Sequence, residues 1–251
     1  MPIALSVNLN KIALIRNSRE GNYPSVVEFG RIALEAGADG LTVHPRPDQR
    51  HIRPTDVTAL ASLVSEYPNC EFNIEGNPFA EPQGSYPGLL ELVKETSPHQ
   101  CTLVPDSNDQ LTSDHGFDLS KDANRLLPII EELHEMGVRV SLFMDPDPDQ
   151  IARAKALGVA RIELYTGPYA AQWSADNDSS DTLYTRYRQA AEFAGEQGIE
   201  VNAGHDLNLE NLPQFATIPG LKEVSIGHAL TVDALRFGMR PAVERYLTIC
   251  R

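Results

Sequence analysis

Four of the seven histidines stand at or just past the ends of short apolar, β-branched runs: His44 in LTVHPRP, His51 in the loop that follows, His205 in VNAGHD and His228 in SIGHAL. Imidazole titrates near neutrality, so His44 and His205 can each serve as a general acid or base. Two glutamates share this placement. Glu75 ends the apolar run FNIEG and Glu163 lies in RIELYTG, where partial burial raises a carboxyl pKa and makes a competent base. Glu75 can instead pair with Arg46 or Lys11, and Glu163 can stabilise a cationic intermediate rather than take a proton.

A second group of residues suits phosphate. Residues 226–230 (IGHAL) lead from an apolar run into a helix and can offer backbone N–H groups to an anion, with Gly227 and His228 at the turn. Residues 202–206 (NAGHD) form another small-residue turn, carrying Asp206. Arg19, Arg46 and Arg50 bring forked donors for oxyanions. Two separate basic groups of loops fit two phosphorylated ligands. Lys11, with Asn8 and Asn10 at the end of the first run, can partner a phosphate or a carboxylate, or attack a carbonyl as a Schiff-base amine. A metal is the rival use of His44, Glu75, His205 and His228, but no HxH or HExxH spacing supports one, and none is expected.

These residues share a mouth only if the runs that carry them are the strands of one barrel. Eight apolar runs read as strands, at 3–10, 40–44, 71–75, 100–105, 139–145, 161–167, 200–205 and 223–228. Their hydrophobicity reads as the continuous kind expected of parallel strands covered on both faces. Amphipathic segments alternate with them, at 26–36, 55–66, 88–96, 123–136, 148–157, 181–197, 209–217 and 232–247. Gly37, Gly137, Gly158 and Gly198 suit helix C-caps just before the next strand. Eight βα units predict a single (β/α)8 TIM barrel over residues 1–251, with chemistry at the C-terminal strand ends. Residues 106–122 and 168–180 read as two longer loops on that face, candidates for a lid or a partner contact.

The chain has 251 residues, a formal net charge of −14 and 41% hydrophobic residues, enough for one large core. So acidic a surface argues against nucleic-acid or anionic-membrane partners. No apolar run approaches the roughly 18 residues of a membrane helix. Charged residues near the start and three scattered cysteines, without CxxC spacing, point to a reducing, cytoplasmic setting.

The sequence resembles the pyridoxine 5′-phosphate synthase family over nearly its whole length. The resemblance is carried by VNLNKIALIRNSR (7–19), AGADGLTVHPRPDQRHI (36–52), FNIEG, LVPD, VSLFMDPD, IELYTGPYA, VNAGHDLN and SIGHAL. It implies condensation of 3-amino-2-oxopropyl phosphate with 1-deoxy-D-xylulose 5-phosphate to pyridoxine 5′-phosphate, inorganic phosphate and water, without metal or redox cofactor, in a homo-octamer built from dimers. By the family pattern His44 and Glu75 match general bases, His205 a general acid and Glu163 a transition-state stabiliser. Asn8, Arg19, Gly227 and His228 match residues that hold the amino-ketone phosphate. Arg46, His51 and Thr112 match contacts to the deoxyxylulose phosphate. The chain departs from the pattern at Asn10-Lys11, usually Asp-His, at Asp206, usually glycine, and in the longer segment after Glu75. Two other readings remain open: a phosphosugar isomerase or aldolase using Glu75 as base, and a catalytically silent barrel that binds phosphorylated metabolites.

Overall fold

The computed structural model describes residues 2–175 and 180–251. In chain order its elements are β1 (Ala4–Asn8), α1 (Asn10–Asn17), α2 (Val26–Glu35), β2 (Gly40–Val43), α3 (Pro54–Ser65), β3 (Glu71–Gly76), α4 (Leu89–Thr96), β4 (Gln100–Leu103) and α5 (Leu119–Glu135). There follow β5 (Arg139–Met144), α6 (Pro148–Ala156), β6 (Arg161–Tyr165), α7 (Gly167–Ala175), α8 (Ser180–Glu196), β7 (Glu200–Gly204), α9 (Leu212–Phe215), β8 (Leu221–Ile226), α10 (His228–Phe237) and α11 (Met239–Cys250). The strands are all parallel and close in sequence order, β8 pairing back onto β1. This is the predicted (β/α)8 barrel.

The strands are not continuously apolar; they alternate. Leu5, Val7, Leu41, Val43, Phe72, Ile74, Val140, Leu142, Ile162 and Leu164 belong to the apolar core beneath the helices. The intervening side chains face the barrel axis, and at mid-height they are polar: Ser6, Thr42, Asn73, Thr102, Ser141, Glu163, Asn202 and Ser225, all buried. The first four form a hydrogen-bonded chain: Ser6 Oγ to Thr42 Oγ1 at 2.7 Å, Asn73 Nδ2 to Thr42 Oγ1 at 3.4 Å and Thr102 Oγ1 to Asn73 Oδ1 at 3.1 Å. On the opposite wall the Ser141 hydroxyl and both amide atoms of Asn202 find no protein partner among the described residues. Barrels usually pack this interior with branched apolar side chains; here the axis is polar at the floor and at mid-height, and Phe143 enters it only towards the mouth.

The floor is charged. Arg139 donates to both carboxylate oxygens of Glu71 and, through Nε, to Gln100 Oε1 at 2.9 Å. Arg161 reaches Glu200 at 2.7 Å, Glu223 at 3.1 Å and Gln100 at 3.2 Å. Burial raises the Glu223 carboxyl to about 7, with Glu71 and Glu75 adding to the rise against the opposing pull of Arg161 and Arg139.

Local chemistry starts and stops the helices as the sequence suggests. Ser25 caps α2 by accepting from Glu28 N at 3.2 Å, and Asp147 caps α6 by accepting from Asp149 N at 2.9 Å. The four glycines predicted to end helices all have positive φ. The segmentation differs in four places. The first strand stops at Asn8, and residues 10–17 form a helix that the sequence reading had joined to strand and loop. Gly238 splits the predicted 232–247 helix into α10 and α11. Helix α5 begins at Leu119, inside the predicted 106–122 loop, because Asp118 accepts from Ser120 N at 3.1 Å as an N-cap. The predicted 168–180 loop is helical through Ala175; part of the remainder lies outside the described residues. Among the described residues, no helix is long and apolar enough to cross a membrane.

Removing Arg161 would leave the deeply buried Glu223 carboxylate without its ion-pair partner at the floor, while Glu200 keeps Lys222 at 3.6 Å. Arg161→Ala is expected to destabilise the fold by about 3 kcal/mol, measured by urea unfolding. A loss below about 1 kcal/mol, the value of an exposed ion pair, would show that water already meets those charges.

Candidate active site

The C-terminal strand ends open onto a cavity of about 320 Å³. All but one of the predicted site residues line it: Asn8, Asn10 and Lys11 from the end of β1 and α1; His44, Arg46, Arg50 and His51 after β2; Glu75 on β3; Thr112 after β4; Glu163 on β6; His205 and Asp206 after β7; and Gly227 and His228 after β8. The exception is Arg19, exposed in the turn after α1 and outside the lining. One cavity therefore takes in both the predicted phosphate turns and the predicted proton-transfer groups.

Two asparagines fix the rim between β1 and β2. Asn8 Oδ1 accepts from Asn10 N at 3.0 Å, turning the chain from strand into α1, and Asn10 Oδ1 accepts from His44 N at 2.9 Å. The aspartate that the resemblance leads one to expect at position 10 would offer an equivalent oxygen, so asparagine preserves this tie while removing its charge.

His44 is the electrostatic centre. It is buried, with Nδ1 3.7 Å from Glu75 Oε2 and Nε2 3.3 Å from Asp106 Oδ2. Burial alone would lower its pKa, but Asp106 and then Glu75 raise it to about 9, which favours the imidazolium at neutral pH. The Asp106 carboxyl also lies against the Arg46 guanidinium and accepts from Ser113 Oγ at 3.3 Å. Although burial favours its neutral form, His44 and Arg46 keep it below the usual carboxylate range.

His51 is the opposite case. Its Nδ1 accepts from Ile52 N at 2.9 Å, which leaves Nε2 as the protonated nitrogen of the neutral ring. Burial, His44, Arg46, Lys11 and Arg50 together push its pKa down to about 3. It is a fixed neutral donor whose ring meets that of His44 edge-on at 6.4 Å.

His205 is held differently again. Its ring packs against Phe143 and Tyr165, with centroids 4.9 and 5.5 Å away, and its Nδ1 has no protein partner among the described residues. Burial lowers its pKa despite the nearby carboxylates. His205 and Asp206 both adopt positive φ, at 81° and 58°, conformations that cost non-glycine residues energy. The Thr166 hydroxyl approaches the Gly204 carbonyl at 2.5 Å and also that of His205, while Asn211 Nδ2 donates to the Asp206 carbonyl at 3.1 Å. The left-handed backbone accounts for the glycine expected at position 206; aspartate tolerates that conformation better than most side chains.

Glu163 is buried on β6, and desolvation, then Glu75 and Glu223, raise its pKa well above that of an ordinary carboxyl. Its surroundings favour the neutral carboxyl. Its neighbour must be glycine: a Cβ on Gly204 would sit 2.4 Å from Glu163 Oε1.

Sequence reasoning gave no role to Asp106. Its signal was present in LVPD, an aspartate directly beyond the end of β4, yet only the folded barrel sets it against His44 and Arg46. Ser113, which holds it, and Ser225, low in the cavity wall, carried no signal of their own. Among the described residues, no group of three His, Cys, Asp or Glu side chains is arranged to hold a metal ion.

Comparison with known proteins gives a consistent picture. The family model described as "Pyridoxal phosphate biosynthesis protein PdxJ" matches residues 5–251. The chain is 53% identical over 252 residues to the pyridoxine 5′-phosphate synthase of Xanthomonas axonopodis pv. citri (strain 306), covering all of this chain and 98% of that one. It is 52% identical over 246 residues to the protein of the same name from Xylella fastidiosa (strain 9a5c), covering 98% and 94%. Among solved structures, phosphoribosyl anthranilate isomerase from Thermotoga maritima superposes with a TM-score of 0.58 at 12% identity, covering 99% and 98% of the two chains. At that identity the likeness is one of fold.

The opposed shifts of His44 and His51 fix a pH dependence. A His44 pKa raised from 6.5 to about 9 contributes stability that is complete below 6.5 and lost as pH rises through about 9. A His51 pKa lowered from 6.5 to about 3 subtracts stability as pH falls from 6.5 towards 3, because the unfolded chain binds the proton first. Thermal unfolding followed across this range should show His44→Asn flattening the alkaline limb and His51→Asn the acid limb. An unchanged limb in either variant contradicts the corresponding assignment.

Proposed function

The chain belongs to the pyridoxal phosphate biosynthesis protein PdxJ family, and we propose that it closes the vitamin B6 ring: it condenses 3-amino-2-oxopropyl phosphate with 1-deoxy-D-xylulose 5-phosphate to pyridoxine 5′-phosphate, inorganic phosphate and water. The observation that carries this reading is the convergence of His44, Glu75, Glu163 and His205 in one cavity whose rim supplies Lys11, Arg46 and Arg50. Joining an amine to a ketone requires a proton to leave nitrogen and another to reach the departing hydroxyl. Eliminating phosphate and closing the ring repeat that demand, so several proton carriers of different affinity are needed.

The cavity supplies them in graded states. His44 enters carrying a proton, while His205 enters neutral, with an unpartnered Nδ1 aligned by two aromatic rings. The resemblance implies base roles for His44 and Glu75 and an acid role for His205. Asp106 and Glu75 favour the His44 imidazolium while burial favours neutral His205, so a base role for His44 follows once it has given its proton to a departing group. Burial, Glu75 and Glu223 favour the neutral form of Glu163, and an iminium forming beside it would favour the carboxylate. His51 stays a neutral donor and suits a substrate hydroxyl. Asn8 from β1, with Gly227 and His228 at the head of α10, suits the amino-ketone phosphate, a role the resemblance also gives to Arg19, which lies outside the cavity lining; Arg46, His51 and Thr112 suit the ketose phosphate. Lys11 replaces a neutral or titrating donor by a fixed cation at the same rim. The same reading carries a single catalytic unit over 1–251 and a cytoplasmic homo-octamer.

The direct test mixes the purified protein with both phosphorylated substrates and follows pyridoxine 5′-phosphate and released phosphate, omitting each substrate in turn. Product only when both are present supports the synthase; turnover of one substrate alone supports an isomerase or aldolase; binding without turnover supports a silent barrel. Glu75→Gln is expected to cut kcat by about a hundred- to ten-thousandfold, the range of a lost general base, with substrate affinity nearly unchanged by calorimetry. Full turnover in that variant would remove Glu75 from the mechanism.

A further inference from the structure

Arg46 and Arg50 are two of the forked donors that the sequence offers to an oxyanion. In the folded chain neither is free. Arg46 lies against the Asp106 carboxylate and donates to the carbonyls of Ser107 and Gln110, each at 3.1 Å. Arg50 donates to the Gln110 carbonyl at 2.7 Å and the Asn108 carbonyl at 2.6 Å, and pairs with Asp48. Asp106 completes the arrangement by reaching His44 Nε2 and accepting from Ser113. The oxygens of residues 106–110 thus surround two guanidiniums as the oxygens of a phosphate would.

Arg46 is only 4% exposed and Asp106 only 5%. A buried guanidinium left without an anion costs several kcal/mol, so Arg46 can leave Asp106 at low cost only by exchanging it for another anion. We propose that Asp106 is a positioning residue that occupies Arg46 and His44 and is displaced from Arg46 by the phosphate of the incoming ketose phosphate, so that substrate entry frees residues 107–113 and uncovers His44 Nε2. This rests on the synthase reading for the identity of the anion, but the competition itself is between a carboxylate and any phosphate. It follows that the segment carrying Thr112 is held by the same arginines that the substrate claims, and cannot rearrange before an anion arrives. It also follows that His44 is released from its strongest anionic contact only when substrate is present; the other titratable groups around it are Glu75, His51 and His205.

The test is Asp106→Asn, which keeps the shape and removes the charge. Calorimetric titration with inorganic phosphate, and separately with 1-deoxy-D-xylulose 5-phosphate, should show about tenfold tighter binding than the wild type, because the internal competitor has lost its charge. In steady-state assays KM for the ketose phosphate should fall, because the anion no longer has to displace a charged carboxylate from Arg46, and Asp106→Glu should restore it towards wild type. A merely structural role would instead raise KM or lower the melting temperature without tightening phosphate. Ser113→Ala, which removes only the hydroxyl that steadies Asp106, should tighten inorganic phosphate by two- to threefold and serves if Asp106→Asn does not fold. Unchanged or weaker phosphate binding in the folded variants overturns the displacement. Tighter phosphate binding with no pyridoxine 5′-phosphate formed by the wild type would uphold the displacement and overturn the synthase reading, so the two failures are distinguishable.

Discussion

The constraint on which everything else rests is that a closed ring of eight parallel strands must bury two faces with opposite chemistry. Outward side chains such as Leu5, Leu41, Phe72 and Ile162 belong to the apolar core beneath the helices, whose burial is the main driving force for folding. Inward side chains meet only one another across a narrow axis. Here they are polar or charged at almost every level, so the ring is stable only if each charge finds a partner within it. The floor meets that demand with Arg139 and Arg161 set among Glu71, Glu200, Glu223 and Gln100. The middle meets it in part, through the Ser6–Thr42–Asn73–Thr102 chain.

The mouth is where the same rule produces reactivity. Glu75 and the floor's Glu223 act on Glu163 along the axis, while Asp106 lies across the mouth beside His44 and Arg46. The outcome is division of labour rather than uniform ionisation. Arg46 and His44 favour the anion at Asp106, whereas burial, Glu75 and Glu223 favour the neutral form at Glu163. The histidines divide in the same way, His44 charged between two carboxylates and His51 neutral among cations. Opposite protonation states a few ångströms apart are what a sequence of proton transfers requires. They arise without a strongly basic chain: the net charge is −14, and the local cations at the rim are enough to receive phosphates.

The backbone takes part as well. The turn after β7 holds two consecutive non-glycine residues at positive φ, which fixes the direction of the His205 ring. Thr166 and Asn211 tie down its carbonyls, and the bare Cα of Gly204 admits the Glu163 carboxyl. Strain, close approach and a buried carboxyl therefore meet within three residues of one strand end, where functional constraint outweighs local preference.

The eight βα units, the helix-ending glycines and nearly all of the cavity lining were legible in the sequence, because apolar periodicity, cap chemistry and polar residues at strand ends are local signals. The alternation of the strands was legible too, since Leu5-Ser6-Val7-Asn8 already reads out-in-out-in, but it passes for a continuous run where strands are only five residues long. Helix α1 was missed because its Asn8 turn looks like the end of a strand. What the sequence could not determine were the pairings between distant elements: Asp106 against His44 and Arg46, Arg50 against the 108–110 carbonyls, Glu163 against Gly204. Those separations of tens of residues are closed only by the barrel. A pKa, a tautomer or an occupied guanidinium depends on which charges lie within a few ångströms, and that distance is a property of the tertiary structure alone.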